Sequence, residues 1–423
     1  MMKKLLVLGA GLLQLPVIKK AREMGVYVIA ADDDPNVPGM ALADKAIVPE
    51  GLMDEEKMLA IAKEEQIDGV IHPCSEMAMS VMGRINDELR LCGISKEMAI
   101  RATNKHLMRE AFERYGAPSP KSILTKDEED AWQIFCEQFS TNAILKPSRN
   151  SGSRGIAKVE KGITKDAFIE LYRRALEESR DHEVLIEQFI EGPEFSVEVI
   201  VWNGEPHVLA VTDKKTTEAP YFVELGHNQP SLFPVDIQQK LKDGAIAGIK
   251  ALGLSNCAAH CELKVAIERE QSKLACGLPS VSNLAESKVQ DGEVYLMEIG
   301  ARMGGDFIST ELTHLSTGID MVAATISVVL GMEPNLQPTE EKHGVCIRYF
   351  TPKPGRLIAI EGEYALKDAH VYDAEIYHQV GDIIPEVKSS LDRSGHVIVT
   401  APTVNEAIAK AESLIEEVKL ITE

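Results

Sequence analysis

Lys146-Pro147-Ser148-Arg149-Asn150-Ser151-Gly152-Ser153-Arg154-Gly155 is the stretch on which the fold turns. The apolar run at 143–146 reads as a strand that delivers a lysine. A loop of glycines and small polar residues follows, and then a strand resumes. Backbone N–H groups and hydroxyls in such a loop can form a nest for phosphate oxygens. No Gly-Lys-Ser/Thr opens a helix here, so this is not a Walker-type loop. Taken alone the stretch is equally a polar hairpin, and the residues around it decide.

Downstream, Glu187-Gln188-Phe189-Ile190-Glu191-Gly192-Pro193-Glu194 joins one strand to the next. A strand-to-strand hinge exposes backbone groups that can pair with an adenine edge, and Glu194 can accept from ribose hydroxyls. By itself it is also an ordinary acidic turn. Glu262 and Glu298 each stand near the expected end of an apolar strand. A carboxylate among apolar strand residues is costly to bury unless paired or bound to a metal. Hard oxygen ligands suit Mg²⁺, which takes one or two carboxylates together with phosphate oxygens. Cys257, His260 and Cys261 lack a second cysteine pair at ligand spacing, which argues against zinc.

Gly300-Ala301-Arg302-Met303-Gly304-Gly305-Asp306 follows Glu298 directly. An arginine beside a metal carboxylate can stabilise oxyanion charge, and the paired glycines admit a ligand close to the backbone. Glu224-Leu225-Gly226-His227 offers a carboxylate for an ammonium group and an imidazole for a carboxylate. A lone Glu-x-x-His of this kind also reads as solvated loop.

The first hundred residues alternate strands and helices: Lys4–Leu8, a glycine turn, a helix, 26–30, a strand ending near 48, Glu55–Glu65, and 69–72. That rhythm predicts a Rossmann-like parallel sheet covered on both faces. Gly9-x-Gly11-x-x-Gln14, with Asp32 at the end of the next strand, suggests a dinucleotide site. Gln14, however, replaces the glycine that lets helix and strand pack closely, so a plain tight turn is favoured. From 122 to about 187 the pattern implies a small α+β unit. Strands at 195–202 and 208–212 are expected to meet at Asn203-Gly204, a hairpin turn. A helix at 236–252 follows, then a polar insertion at 268–287, a buried helix at 319–330, and a last helix from Val404.

The whole chain has 423 residues and 44% apolar content, enough for two or three domains of a soluble globular protein. A formal net charge of −21 argues against nucleic acid as a partner. Seven scattered cysteines fit a reducing compartment rather than a disulfide framework. No small-residue cleavage site follows Leu5–Leu8, and the apolar stretch 321–332 is too short to span a bilayer. The expected location is cytoplasmic, with no membrane partner.

In order along the chain come a helix lysine at 105, the glycine-loop lysine, a Glu hinge, a strand Glu, and Glu-x-x-x-Arg. This order resembles the ATP-grasp superfamily of carboxylate–amine ligases over about residues 1–335, and the subgroup it is most similar to is the dipeptide-forming L-amino acid ligases. The resemblance implies an α/β ATP-grasp fold with a Rossmann-like unit at 1–104 and an ATP-grasp domain at 105–335, whose lid covers about 122–187. A C-terminal α+β domain would follow at 336–423. It further implies ATP held by Lys105 and Lys146, a lid loop with Gly152, Ser153 and Gly155, and an adenine hinge of Glu187, Phe189 and Ile190. Glu194 would hold the ribose. Glu262 and Glu298 would hold one or two Mg²⁺ ions, with Mn²⁺ as a substitute. Arg302 and Lys146 would be catalytic, and Glu224, His227, Arg302, Gly304 and Gly305 would handle small carboxylate and amine substrates. A homodimer is compatible with the family.

Two departures stand out. Gly300 replaces the asparagine most members carry, and the two metal carboxylates are 36 positions apart (298 − 262), more than the family's short hairpin. Carbamoyl-phosphate-synthase-like and purine-pathway enzymes remain alternatives, as do a non-catalytic ATP-binding protein and a nicotinamide-dependent oxidoreductase.

Overall fold

The computed structural model describes residues 2–150, 154–217, 221–267, 292–339 and 341–423. The insertion expected at 268–287, with Gly152 and Ser153, lies outside the described residues. Near the N-terminus, four parallel strands lie in the order Lys45–Ile47, Tyr27–Ala31, Lys4–Leu8, Gly69–Ile71. Leu5, Leu6, Val7 and Leu8 are all fully buried, so the central strand is covered on both faces. That is why its sequence is continuously apolar instead of alternating. The helix Glu55–Glu65 starts where Asp54 accepts from the N–H groups of Glu56 and Lys57, and stops at Gln66 in the left-handed region.

The Gly9–Gln14 turn is closed by its own chain. Asp32 accepts from the N–H of Ala10 at 2.7 Å and of Asp34 at 3.0 Å, and the Gln14 side chain lies beneath Gly9. The carboxylate that a dinucleotide ribose would need is therefore already engaged.

A second sheet is formed by Ser122–Thr125, Val184–Gln188, Ala143–Pro147 and Ala157–Val159, in that order and antiparallel throughout. The helices Glu128–Gln138 and Lys165–Glu177 join it through a core containing Phe135, Phe168 and Tyr172. Phe135 and Phe168 stack at 5.3 Å between ring centroids.

The third sheet has eight antiparallel strands, in the order Val294–Gly300, Cys257–Val265, Glu194–Trp202, Glu205–Thr216, Glu224–Gln229, Gly344–Tyr349, Gly395–Ala401, Val371–Ile376. The Asn203-Gly204 hairpin forms as expected, both residues taking the positive φ such a two-residue turn requires. The helix Val235–Leu252 packs against the sheet through Ile237, Leu241 and Ile249. Gly248 permits the close approach, since a Cβ there would lie 2.5 Å from Ile299 Cδ1. The buried helix runs over Met321–Val329.

Two expectations shift. The strands carrying Glu262 and Glu298 run on to Val265 and Gly300, so neither glutamate ends its strand. Glu224–His227 is not a loop but the start of the strand Glu224–Gln229. The large sheet also continues across residue 336, because Gly344–Tyr349 pairs with Glu224–Gln229. The terminal helix Val404–Glu417 begins at a reciprocal cap between Thr403 and Glu406 and covers the C-terminal strands. Among the described residues no single helix is long and apolar enough to cross a membrane. The six described cysteines are free thiols.

Candidate active site

A cavity of about 300 Å³ opens between the small antiparallel sheet and the large one. The small sheet contributes Ile144 and Lys146, and the large sheet contributes Glu194, Lys214, Glu224, His227, Glu262 and Glu298. Glu76 and Cys74 enter from the end of the parallel sheet, and Ser390 from the C-terminal segment. Each expected site residue among the described ones can be placed relative to this cavity.

Lys105 sits in the first turn of Lys105–Tyr115, whose N-cap is Asn104. Its Nζ donates to the carbonyl of Asn150 at 2.8 Å and pairs with Glu298 at 3.1 Å, tying the glycine loop to the sheet. Burial alone would lower its pKa, but Glu298 and Glu76 raise it. Lys146 pairs with Glu187 at 2.6 Å, and Arg109 reaches the same carboxylate at 2.7 and 3.2 Å. Burial opposes ionisation of Glu187, yet Arg109 and Lys146 together hold it well below the usual carboxylate range. Glu187 thus lies behind Lys146 and outside the cavity wall. Its side chain is taken up by Lys146 and Arg109.

Phe189 and Met297 line the cavity with apolar surface. The Phe189 ring carries Lys158 at 4.6 Å and Lys264 at 5.5 Å from its centroid, cations over a π face. Ile190 is buried and borders a separate groove. Gly155 takes φ +74°, a backbone that glycine adopts without strain. It does not line the cavity, whereas Asn150 and Arg154 do.

At the acidic end, Glu262 and Glu298 are register partners on adjacent strands. Like charges placed directly opposite repel, and each carboxylate has a lysine. Lys214 Nζ lies 3.0 Å from Glu262, 2.8 Å from Glu194 and 3.5 Å from Glu224. Burial lowers the Lys214 pKa, but Glu194, Glu262 and Glu224 hold it well above the usual value. Burial pushes Glu76 up to about 7, with the neighbouring Glu298 charge adding to the rise. Arg302 approaches Glu76 at 3.6 Å and donates to the carbonyl of Met303 at 3.1 Å.

His260 lies between two carboxylates, with Nδ1 2.5 Å from Glu198 and Nε2 3.5 Å from Glu262. Glu198 also accepts from Ser309 Oγ at 2.6 Å, and that hydroxyl accepts from the N–H of Gly304 at 2.7 Å. A chain of contacts therefore links Glu262 to the glycine turn after Arg302. Gly304 faces His260 and not the cavity, while Gly305 lines the cavity.

At the far end, Ser390 Oγ donates to Glu224 at 2.9 Å. His227 is fully buried, and its Nε2 lies 3.4 Å from Asp306. Burial keeps the His227 pKa below its ordinary value. Arg393 grips Asp306 with two bonds of 2.7 Å and lies 3.6 Å over the Tyr349 ring.

The donor set on the paired strands fits Mg²⁺. Glu262, Glu298 and the adjacent Glu76 offer carboxylate oxygens only, and the nearby imidazole Nδ1 is committed to Glu198. Among the described residues no cluster of three or more His, Cys, Asp or Glu is arranged as a complete metal site. Phosphate oxygens would have to complete the shell. The sequence pattern did not mark Glu76, Arg109, Lys214, Glu198 or Arg393. Two of them carry a local signal: Lys214 is a cation in a strand otherwise buried at Val211, Thr212 and Asp213, and Glu198 is a carboxylate between Val197 and Val199 in a buried apolar strand.

Residues 139–274 match the family described as an ATP-grasp domain, and residues 348–423 match L-amino acid ligase C-terminal domain 2. An alanine–anticapsin ligase of Bacillus subtilis is 26% identical over 234 residues, covering 51% of this chain and 49% of the relative. The chain spans about half the length of the first curated relatives it matches. A solved L-amino acid ligase from Bacillus licheniformis superposes with a TM-score of 0.78 at 21% identity, covering 100% of this chain and 99% of that one. A phosphoribosylglycinamide synthetase from Anaerococcus prevotii gives a TM-score of 0.75 at 25% identity, covering 100% of both chains.

Proposed function

From an ATP-grasp fold that carries an L-amino acid ligase C-terminal domain, we propose that this chain is a Mg²⁺- and ATP-dependent carboxylate–amine ligase with an amino acid substrate. The carrying observation is the convergence on one cavity of Lys105, Lys146, the facing pair Glu262 and Glu298, and Arg302.

In this reading a substrate carboxylate oxygen attacks the γ-phosphorus of ATP. The bond to ADP breaks, leaving an acyl phosphate. An amine lone pair then adds to the acyl carbon; the amine loses a proton and phosphate departs. A carboxylate is a weak nucleophile and its anion repels ATP, so positioning and cationic charge supply most of the catalysis. Lys146, oriented by Glu187, and Lys105 neutralise phosphate oxygens. Arg302 stabilises the oxyanion of acyl transfer. Glu194 holds ribose hydroxyls, and Phe189 and Met297 sandwich the base. Mg²⁺ held by Glu262 and Glu298 would offset the charge on the phosphate oxygens. Glu224 receives the substrate ammonium group, with His227 deeper in the wall as its carboxylate-side partner. The small sheet at 122–187 acts as a lid that keeps water from the acyl phosphate.

Phosphate release from Mg²⁺-ATP with pooled amino acids tests this, with the nucleotide product identified. ADP and phosphate formed only with particular amino acids support the ligase. The full-length likeness to a phosphoribosylglycinamide synthetase favours one second reading, in which the carboxylate is activated for a phosphoribosyl amine. Turnover with that amine and not with amino acids alone would select it.

A further inference from the structure

A second cavity, of about 20 Å³, shares Arg302 with the main one as a lining residue. We propose that it holds one ordered water bridging Arg302 to His72 and Asn86, which makes His72 a positioning residue for the arginine. Only the kinetic consequence rests on the ligase reading.

Three buried polar atoms without a hydrogen-bond partner belong to residues that line this cavity: His72 Nε2, Asn86 Oδ1 and Arg302 Nε. His72 is 6% exposed and Asn86 4%. Their senses are fixed by their other bonds. His72 Nδ1 lies 2.7 Å from the carbonyl of Leu8, which can only accept, so Nδ1 carries the proton and Nε2 is an acceptor. Asn86 donates from Nδ2 to the carbonyl of Ile94 at 3.0 Å, leaving Oδ1 as an acceptor. Arg302 Nε–H can only donate.

One donor and two acceptors are the complement of a single water, which accepts once and donates twice. The volume suits this, because one water needs ~10–15 Å³ of such space and 2–4 polar partners. Ile71, Ile94, Ala258 and Met303 supply much of the apolar wall, and of the other polar side chains there Thr325 donates to the carbonyl of Met321 at 2.7 Å and Asn256 accepts from the N–H of Asn203 at 2.8 Å. Burial keeps His72 in its neutral form, as an acceptor facing a guanidinium must be.

Arg302 lines both cavities. With its Nε held, one terminal nitrogen donates to the carbonyl of Met303 at 3.1 Å and the other lies 3.6 Å from Glu76 at the main cavity. His72 follows directly on the strand Gly69–Ile71, so the water would tie the parallel sheet to the catalytic turn.

A high-resolution crystal structure of the full chain is the first test. One ordered water within hydrogen-bond reach of Arg302 Nε, His72 Nε2 and Asn86 Oδ1 is expected. A dry cavity, or a water that misses Arg302 or His72, overturns the proposal whether or not the protein proves to be a ligase. Kinetically, His72→Leu should lower kcat for ADP formation about tenfold, the value of one lost hydrogen bond, with KM for ATP unchanged. His72→Gln, which restores an acceptor, should recover most of the loss. Unchanged kcat in His72→Leu, or a rise in KM for ATP alone, would overturn the positioning role. Absence of all ADP formation in the wild type would count against the ligase and leave the crystallographic result to decide the water.

Discussion

Glu262 and Glu298 face each other across neighbouring antiparallel strands, and each is neutralised by a different lysine, Lys214 for the first and Lys105 for the second. The pairing makes a divalent ion the economical way to hold both charges when phosphates enter. Addition of Mg²⁺-ADP should therefore raise the melting temperature of the wild type, by about 2.7 kcal/mol of stabilisation at 100 times Kd. In Glu298→Gln the ligand-free protein should melt close to wild type, since Glu76 remains as counter-charge for Lys105. Its Mg²⁺-dependent shift should be lost and ADP formation should fall. Retention of the full shift would remove Glu298 from the metal site.

Glu187 is held by Arg109 and Lys146 in a fully buried cluster. Truncation to Ala leaves two buried cations uncompensated, a loss of about 3–5 kcal/mol in denaturant unfolding. The folded-state pKa is depressed, so its contribution is present above the ordinary carboxylate value and is lost as pH falls below it. The gap between wild type and Glu187→Gln should narrow from neutral pH toward acid. A gap independent of pH would mean that the charge on Glu187 is not what matters.

Asp213 titrates in the opposite sense. Burial pushes it up to about 7, although Ser231 Oγ at 2.5 Å and the N–H of Leu232 at 2.9 Å both donate to it. Between its unfolded value near 3.8 and about 7 the folded state binds the extra proton, so stability falls as pH rises through that window. Asp213→Asn keeps an acceptor for Leu232 and removes the ionisation. It should match wild type near pH 4 and exceed it at pH 8, by on the order of 2–4 kcal/mol. Unfolding curves across that range would expose a failure as parallel pH profiles.

Much of this architecture is written in local pattern. Lys4–Leu8, Glu55–Glu65 and Lys105–Tyr115 appear with the bounds their apolar runs and caps imply. Lys105, Lys146, Glu262, Glu298 and Arg302 could be picked out by type and order, and they do line one cavity. The chain could not announce partnerships made across long separations. Arg109 meets Glu187 78 positions away, and Arg393 meets Asp306 87 positions away. Glu224–His227 also reads as loop in the sequence, and is strand in the structure, for a related reason: its charged first residue is compensated by Lys214 and Ser390 from other strands and turns. A glutamate can enter a sheet when distant elements supply its counter-charge.

Lys214 stands at the centre of that compensation, its side chain 2% exposed and within 3.5 Å of three glutamates. Lys214→Met should destabilise the ligand-free protein by about 3–5 kcal/mol, as expected when one side of a buried ion cluster is removed. Because Mg²⁺ can take over the charge of Glu262, part of that loss should return when the ion is added. Thermal melts with and without Mg²⁺ measure this directly. A deficit that Mg²⁺ leaves unchanged would separate Lys214 from the metal end of the cavity.

Gly300 gives the sharpest contrast with the family pattern. An added Cβ there would lie 3.1 Å from both Cζ and Nε of Arg302, so the arginine occupies the space a larger side chain would need. Gly300→Asn restores the oxygen ligand that most relatives are expected to carry, and a simple ligand count then forecasts tighter Mg²⁺ binding and faster turnover. Packing forecasts the reverse for the chemistry. The asparagine displaces the Arg302 guanidinium, and an oxyanion donor moved by an ångström loses most of its effect, on the order of 10²-fold in kcat. The two effects separate in one experiment: the Mg²⁺ dependence of ADP formation should show a lower half-saturation for the ion together with a reduced maximal rate. A maximal rate equal to or above wild type would show that Arg302 does not depend on the space Gly300 leaves open.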